Sequence, residues 1–247
     1  MDDTGSPERS HSGRFWTTRW SLVAEAAGSA TQARDALAEL YEAYWYPVYA
    51  FARSRGTDAE TAADQTQGFF VSLIERQALR RFDPARGRFR SFLLASFKNY
   101  AANSHRFEVA AKRGGGVSMV ALDGDQAQAR YAVEPRHADT PERVFERAWA
   151  VSQIEQALAR LRAERAQVGQ EQAFVALRPY LTETATPRYA AAAASLQMSE
   201  GAVKMAVHRL RRRFGQLLRE VVGETVARDQ VDTELHELLS ILTEQPR

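Results

Sequence analysis

Hydrophobic residues recur at helical spacing along the N-terminal half of the chain, which predicts three helices there. The first covers residues 37–52, and Pro47 inside it should kink or break the helix because proline lacks the backbone N–H. The second has Thr57 as its predicted N-cap, within a capping box, and should end near residue 78. The third follows a loop at residues 82–87 and carries a row of aromatic side chains.

The C-terminal half shows the same helical spacing after a stretch rich in Gly, Asp, Gln, Ala and Pro. Helices are predicted at residues 142–165 and around 170–181, and two further helices should meet at a short turn within residues 189–214. Ser199 is the predicted N-cap of the last of these, because its hydroxyl can accept a backbone N–H of the first turn. No segment alternates with the period of a strand, so an all-α fold is predicted.

The predicted organisation is two small helical domains joined by a flexible linker, the second domain ending in a helix-turn-helix. The segments are a partly disordered N-terminal segment 1–30, a first domain 31–113, a linker 114–140, a second domain 141–222 and an acidic amphipathic tail 223–247. The linker is expected to be exposed because of its composition. The tail is expected to form a short helix, because its apolar residues recur at helical spacing.

The helix that follows Ser199 combines an apolar stripe with an opposite cationic arc. Residues 204–219 contain six Lys or Arg and no Asp or Glu, whereas solvated helices usually mix both signs for i,i+4 pairing. A basic helix after a turn is typical of a recognition helix in the major groove of DNA. The alternative is an ordinary surface helix, since most charge runs are solvated faces.

Charge is segregated along the chain, although the net charge is only +2. Residues 69–113 hold ten Lys or Arg against three Asp or Glu, and residues 220–247 hold seven acidic residues against two Arg. Together with the basic helix, the first of these zones predicts two separate contacts with a polyanion. Chance clustering is the alternative explanation for either basic zone alone.

The composition excludes several kinds of covalent bond, metal site and catalytic site. The chain has 247 residues and no cysteine, which excludes disulfides, thiolate zinc sites and thiol nucleophiles. The five histidines lack metal-ligand spacing, and common phosphate-loop, zinc-protease and serine-hydrolase patterns are absent, so no enzymatic role, cofactor or metal is expected. The polar N-terminus lacks the apolar core of a signal peptide, and no apolar run could span a bilayer. A cytoplasmic location without membrane contact is therefore expected.

Four segments of the chain, in this order, resemble segments of bacterial sigma factors of the extracytoplasmic-function type. They are LAELYEAYWYPVYAFARSRG (37–56), ADQTQGFF (63–70), GRFRSFLLASFKNYAANSHR (87–106) and SEGAVKMAVHRLRRRF (199–214). The resemblance implies a subunit that binds core RNA polymerase and directs promoter recognition and transcription initiation. In that family the first domain docks on polymerase and melts the minus-ten element, and the second domain reads the minus-thirty-five element.

The resemblance also implies roles for particular residues. Contacts with core polymerase are predicted for Asp64, Gln67 and Phe70. Contacts with the melted minus-ten strand are predicted for Arg88, Phe89, Arg90, Lys98, Asn99, Asn103 and Arg106. Contacts with the minus-thirty-five duplex are predicted for Glu200, Gly201, Lys204, Met205, His208, Arg209, Arg211 and Arg212.

The residue types suit these implied roles. A melted strand needs aromatic faces for its bases and cations for its backbone, and residues 88–106 interleave both. Aromatic side chains at helical spacing also form cores, and we expect Phe92 and Tyr100 to be core residues. Lys and Arg of the basic helix either read G edges or bind only phosphate. We expect phosphate contacts for Arg211 and Arg213.

Thr66 lies in the predicted polymerase-binding segment, which is less acidic than is usual in this family. One hypothesis is that a Ser/Thr kinase phosphorylates Thr66, adds about −1.5 to −2 charge and licenses polymerase binding. This hypothesis draws on a similarity to a kinase-linked branch of these factors. The alternative, which we favour, is that Thr66 packs on the apolar face of its helix. An anti-sigma protein, the usual regulator in this family, and the tail are further candidates for control.

Two other classes of protein fit parts of the pattern. A helix-turn-helix regulator that binds duplex DNA without polymerase explains the basic helix but leaves the basic, aromatic first domain without a purpose. A helical adaptor whose basic faces bind acidic proteins explains the charge alone. Salt-dependent DNA binding is expected of both DNA-binding classes, and co-purification with core polymerase is expected only of a sigma factor. No heptad or strand edge predicts self-association, so a monomer is expected apart from polymerase.

Overall fold

The computed structural model describes residues 30–75, 78–83, 87–107, 124–133, 140–182 and 189–244. Every regular element in these ranges is helical, which confirms the all-α prediction. The α-helices are α1 (Ala30–Ser54), α2 (Ala59–Glu75), α3 (Phe89–Phe107), α4 (Gly124–Val133), α5 (Pro141–Gln167), α6 (Glu171–Leu177), α7 (Pro179–Thr182), α8 (Ala190–Leu196), α9 (Glu200–Gly223) and α10 (Val231–Thr243). Short 3-10 turns lie at Ala78–Arg81 and Arg228–Gln230. Residues 1–29, within the segment predicted to be partly disordered, lie outside the described residues.

Helix α1 lies at the centre of the fold. It runs through Pro47 as one helix, so the predicted break does not occur. Residues 43–52 are all buried, which means that neighbouring helices cover this stretch on every side. Aromatic packing adds to this: the rings of Trp45 and Tyr49 stack with their centroids 5.2 Å apart. Tertiary packing therefore offsets the lost hydrogen bond at the proline.

The ends of two helices test the predicted caps. Ser199 caps α9 as predicted, because its hydroxyl accepts the backbone N–H of Ala202 at 3.2 Å. The predicted cap Thr57 is wrong for α2. The carboxylate of Asp58 accepts the backbone N–H of Thr61 at 2.9 Å instead. An aspartate in this position also places a negative charge at the positive end of the helix dipole.

Residues 124–133, which the sequence predicts as part of an exposed linker, form helix α4 instead. Tyr131 in this helix is buried, and its ring meets that of Tyr49 edge-on with centroids 6.2 Å apart. Aromatic contact with α1 thus holds a segment whose composition indicated a flexible connection. The remaining linker residues, 114–123 and 134–139, lie outside the described residues.

The C-terminal helices are joined to α1 through α5 rather than standing apart from it. The most extensive contact between described helices joins α1 and α5, and both α9 and α10 pack on α5. Trp149 and Leu161 of α5 are fully buried in one hydrophobic core that continues from α1 to α10. Helices from the two predicted domains therefore share a core in this conformation. The division into two domains with a flexible linker stays a prediction.

Candidate nucleic-acid interface

Helices α8 and α9 meet at a short turn, residues 197–199. Gln197 ends α8 in the left-handed conformation, with φ of 52°, which redirects the chain without a glycine. Ala192 and Ala193 are buried, so the short helix α8 presents small side chains to its neighbours. Ser199 then starts the much longer α9. The local geometry thus agrees with two helices joined by a turn, and its use as a DNA-binding motif stays a prediction.

Helix α9 has one buried and one exposed side. Val203, Val207 and Leu210 are buried against the core. All the positions predicted to contact duplex DNA are exposed, namely Glu200, Gly201, Lys204, Met205, His208, Arg209, Arg211 and Arg212. Met205, the apolar member of this set, is 56% exposed. The structure therefore brings the predicted duplex contacts together on one arc, here called the α9 arc.

Three arginines of α9 have partners within the protein. Nη2 of Arg219 lies 2.5 Å from Oδ1 of Asp232 in α10. Arg211, although exposed, donates from its guanidinium to the backbone carbonyl of Tyr180 at 2.7 and 3.0 Å. Arg213 binds Glu164 through two hydrogen bonds, from Nε to Oε2 at 2.9 Å and from Nη2 to Oε1 at 2.5 Å. This contact raises the pKa of Arg213 and lowers the pKa of Glu164. The guanidinium of Arg213 thus already donates hydrogen bonds to a carboxylate. The predicted phosphate contact of Arg213 is therefore wrong for this conformation.

Arg88 and Arg90, predicted to contact the melted strand, are bound by two glutamates of α10. The carboxylate of Glu234 lies 3.1 Å from Nε of Arg88 and 3.3 Å from Nη1 of Arg90. Glu237 also binds both guanidinium groups. Arg90 is only 4% exposed, and its guanidinium lies 4.2 Å from the centre of the Trp149 ring. A DNA strand therefore cannot contact Arg90 in this conformation.

The protein shifts the pKa values of the two glutamates of this cluster in opposite directions. Burial raises the pKa of Glu234, and the positive charges of Arg90 and Arg88 offset that rise only in part. Burial also acts on Glu237, but the hydrogen bond from Arg88 and the charge of Arg90 outweigh it and lower the pKa. Desolvation opposes the charge on Arg88, yet the hydrogen bond with Glu237 prevails and raises its pKa. Glu237 and Arg88 therefore form a charged pair at neutral pH.

Lys98, further along α3, is also paired with the C-terminal half. Its Nζ lies 2.6 Å from the carboxylate of Glu142 at the start of α5, and this hydrogen bond lowers the pKa of Glu142. The two side chains are 41% and 49% exposed, so this pair is weaker than the buried cluster. Asn99 and Asn103 are exposed on the same helix, as a strand contact requires. The side chain of Arg106 lies outside the described residues.

The aromatic row of α3 mostly faces the core. Phe89 and Phe97 are each 1% exposed, whereas Phe92 and Tyr100, expected to be core residues, are only half-buried. The ring of Phe89 meets that of Tyr44 edge-on, with centroids 5.4 Å apart. The predicted strand contact of Phe89 is therefore wrong for this conformation. The reason is that the most buried residues of α3 recur every four positions, on the side that meets aromatic rings of α1 and α2.

The predicted polymerase contacts on α2 differ in exposure. Asp64 is exposed and Gln67 is half-buried. Phe70 is 2% exposed, and its ring meets that of Tyr41 edge-on with centroids 5.0 Å apart. Phe70 is thus a core residue, and its predicted contact with polymerase is wrong for this conformation. Asp64 and Gln67 stay candidates for that surface.

Thr66 is fully buried in α2. Its hydroxyl donates to the backbone carbonyl of Ala62 at 2.7 Å. The structure therefore agrees with packing on the apolar face, the alternative that the sequence favoured. A kinase cannot reach the hydroxyl here, and a phosphate at this place would lack water and countercharge. Phosphorylation of Thr66 would require another conformation of this region.

Sequence reasoning missed the glutamates that bind the predicted strand-contacting cations. The signal was the acidic excess of residues 220–247, which indicated charge but no target. Glu234 and Glu237 are three positions apart and thus share one face of α10. Glu234 is buried near Leu238 on the apolar side of that helix. A carboxylate on an apolar helix face needs a buried cation, and that pattern is the clue that the sequence offered.

Comparison with known proteins gives one family match. Residues 40–109 match the family model described as sigma-70 region 2. No curated protein and no solved structure gives a significant match. The matched residues span most of α1 together with α2 and α3, and they include Arg88 and Arg90. The match covers 70 of the 247 residues, so the similarity shown is to this one region of sigma-70 factors.

The described residues do not meet the requirements of metal sites or of membrane-spanning helices. Within the described ranges, no cluster of His, Asp or Glu is arranged to hold a metal ion. None of the helices described here is both long and apolar enough to traverse a lipid bilayer.

Proposed function

We propose that the chain is a sigma factor of the extracytoplasmic-function type, which binds core RNA polymerase and directs promoter recognition and transcription initiation. The observation that carries this proposal is the match of residues 40–109 to sigma-70 region 2. The resemblance of residues 199–214 to the C-terminal segment of these factors supports the same type. Membership of a kinase-linked branch is a finer assignment that rests on sequence resemblance alone.

The α9 arc is the proposed reader of the minus-thirty-five duplex. Lys204, Arg209 and Arg212 have no hydrogen-bond or ion-pair partner among the described residues, so they are available to phosphates and base edges. The apolar side of α9 is anchored in the core, which fixes the direction in which these cations point. A helix with one anchored and one cationic side has the geometry that a major-groove reader needs.

The first domain, residues 31–113, is the proposed site for polymerase and for the melted minus-ten strand. Asp64 and Gln67 lie on the accessible part of α2. Asn99 and Asn103 are exposed on α3, where amide groups could hydrogen-bond to unpaired bases. Arg88 and Arg90 would join them only after α10 has moved away.

The partners that follow from this function are core RNA polymerase and promoter DNA, both as a duplex and as a melted strand. We expect a monomer apart from polymerase and a cytoplasmic location, where polymerase acts. An anti-sigma protein or a Ser/Thr kinase would be an additional regulator. The burial of Thr66 argues against a kinase acting on this conformation.

Reconstitution with sigma-free core polymerase tests the proposal. We expect one complex in gel filtration and promoter-dependent transcription from the reconstituted enzyme. Arg212→Ala should lower transcription but leave the complex intact, because the α9 arc contacts DNA rather than core polymerase in this proposal. Absence of a complex, together with salt-sensitive binding to duplex DNA, would instead support a helix-turn-helix regulator that acts without polymerase.

A further inference from the structure

Acidic side chains of α5 and α10 cover cations on α3 and just before it. The covering set, here called the carboxylate cover, consists of Glu142, Glu234 and Glu237. Of the four Arg and Lys side chains predicted to hold a melted strand, the cover binds all three that the structure describes, namely Arg88, Arg90 and Lys98. The cover thus binds every proposed strand-binding cation whose side chain the structure describes.

We propose that this conformation is a closed state, in which the carboxylate cover takes the place of DNA phosphates on the strand-binding cations. Opening would move α10 and the start of α5 away from α3 and release those cations for a single strand. The inference rests on the proposed function, since the cations matter here as strand contacts. It adds that the chain's own C-terminal half excludes DNA from this site.

The chemistry of the contact supports competition between the cover and DNA. A guanidinium presents a planar fork of donors that fits a carboxylate and a phosphate in the same way. Arg88 and Arg90 both bind Glu237, and both lie beside the carboxylate of Glu234. Donors used in this way are not available to a phosphate. Cover and strand therefore exclude each other on these two arginines.

The closed state is also too small to contact both promoter elements at the same time. The minus-ten and minus-thirty-five elements are named for positions 25 base pairs apart. At 3.4 Å per base pair, this separation is about 85 Å. A compact chain of this length has a radius of gyration of about 18 Å, hence a diameter of about 45 Å. The shared core from α1 to α10 therefore cannot place both DNA-binding faces on their elements at once. Promoter binding requires the halves to separate.

The closed state contains buried polar groups whose desolvation is not fully compensated. Gln153 is fully buried in α5, and within the described residues neither its amide oxygen nor its amide nitrogen has a hydrogen-bond partner. Buried groups of this kind are rare in permanent cores because their desolvation is not compensated. The ion pairs of the cover also carry a desolvation cost. A competing polyanion can thus replace the ion pairs of the cover, whereas the apolar contact between α1 and α5 must be replaced by an apolar partner surface such as one on polymerase.

Binding of a fluorescent poly-dT oligonucleotide tests the inference. The test variant is Glu142→Gln/Glu237→Gln, which weakens the cover but keeps the buried Glu234 in place. The matched control is Asp229→Asn/Glu244→Gln, which removes two carboxylates from the same end of the chain. Asp229 and Glu244 are exposed and do not contact the strand-binding cations. Poly-dT is suitable because stacking and phosphate contacts tolerate any sequence.

We expect the test variant to bind poly-dT about tenfold more tightly than wild type, because apparent affinity rises with the fraction of open molecules. The control should bind as wild type does. Equal affinity of wild type and test variant would overturn the inference, and so would an equal gain in both variants, which would be a general charge effect. Failure of every protein to bind poly-dT would overturn it as well.

Distance measurements give a second test that needs no cover variant. The chain has no cysteine, so Ala102→Cys on α3 and Thr233→Cys on α10 place two fluorophores at exposed positions of an otherwise intact protein. Energy transfer should be high in the free protein and fall when core polymerase binds. Unchanged transfer in a sample that contains the complex would contradict opening.

The outcomes separate this inference from the proposed function. If wild type binds core polymerase but neither energy transfer nor poly-dT affinity changes, the closed state is wrong and the sigma-factor proposal stands. If no form binds core polymerase but the test variant gains affinity for poly-dT, the cover is real and the proposed function fails.

Discussion

Replacing Arg90 with methionine should destabilise the fold by about 2–4 kcal/mol. The side chains of Arg90 and Glu234 are 5% and 2% exposed, so the change leaves a carboxylate inside the protein with one cation fewer. Removing one partner of a buried ion pair typically costs about 3–5 kcal/mol. Arg88, whose Nε is 3.1 Å from Glu234, still neutralises part of the charge, which places the expected cost toward the lower end.

Two further contacts affect this magnitude. The guanidinium of Arg90 loses its position 4.2 Å from the Trp149 ring centre, a contact worth up to about 2 kcal/mol when desolvated. Methionine recovers some of that loss, because it fills similar space and its sulfur can contact an aromatic ring. At about 2–4 °C per kcal/mol for a chain of this size, Tm should fall by about 4–16 °C.

Urea and thermal unfolding, followed by circular dichroism, measure the effect of Arg90→Met. The double variant Arg90→Met/Glu234→Met is the control, because an apolar pair of similar volume is often as stable as a buried ion pair. It should recover most of the lost stability. A cost below about 1 kcal/mol for the single variant, or no recovery in the double variant, would refute the reasoning about the cluster.

The destabilisation by Arg90→Met should also depend on pH. Burial already raises the pKa of Glu234 above its ordinary value, and losing Arg90 removes a charge that lowers it. A carboxyl with a raised folded-state pKa favours folding below its unfolded pKa and loses that contribution as pH rises through the folded pKa. The cost of Arg90→Met should therefore be smaller near pH 4 than at neutral pH.

Four further predictions concern α2, the α9 arc and the anchoring of α9. Thr66→Glu should strongly lower Tm because it buries an unpaired charge, whereas Thr66→Val should cost only about 1 kcal/mol; thermal melts measure both. Arg212→Ala should weaken duplex binding and lower the slope of log K against log salt by about one, seen by fluorescence anisotropy across a salt series. Arg213 lowers the pKa of Glu164, so this carboxylate stabilises the fold above its ordinary pKa of 4.5 and loses that contribution as pH falls through the lowered value. The stability gap between wild type and Glu164→Gln in urea titrations should therefore shrink on acidification. Ser199→Ala should cost about 1 kcal/mol in urea unfolding, because α9 loses its N-cap.

Controls and contrary results follow from the same contacts. Arg228→Ala removes an equal, exposed charge beyond the C-terminal end of α9, and an equal loss of duplex binding there would contradict a specific role for Arg212. A Thr66→Glu protein that folds and binds core polymerase more tightly than wild type would revive the phosphorylation hypothesis. A gap for Glu164→Gln that stays constant with pH would show that the ion pair with Arg213 contributes nothing to stability.

The helices and their buried faces could be predicted well from the sequence. The apolar spacing in α9 placed Val203, Val207 and Leu210 on one side and the predicted DNA contacts on the other, as observed. Ser199 was recognisable as a cap because a hydroxyl at that position satisfies an orphan N–H. These features depend on neighbours within about one helical turn, and such neighbours are visible in the sequence.

Other features could not be predicted, because their partners lie far away in the chain. Pro47 does not break α1, since helices from the whole chain bury it. Arg213 looks like the other arginines of α9 in the sequence, but Glu164, 49 residues earlier, binds it. Phe70 looks like a candidate for a binding surface, but Tyr41 covers it. In each case a contact between distant residues decided the role.

The sequence by itself determined the helical class, the faces of the helices and the resemblance to sigma factors, because periodicity and local motifs express these properties along the chain. The tertiary structure alone decided which cations are free. The α9 arc stays exposed, whereas Arg88 and Arg90 meet Glu234 and Glu237 from the opposite end of the chain. Charge is read from the sequence, but pairing depends on distance in space, and that distance is set only when α10 packs across the start of α3.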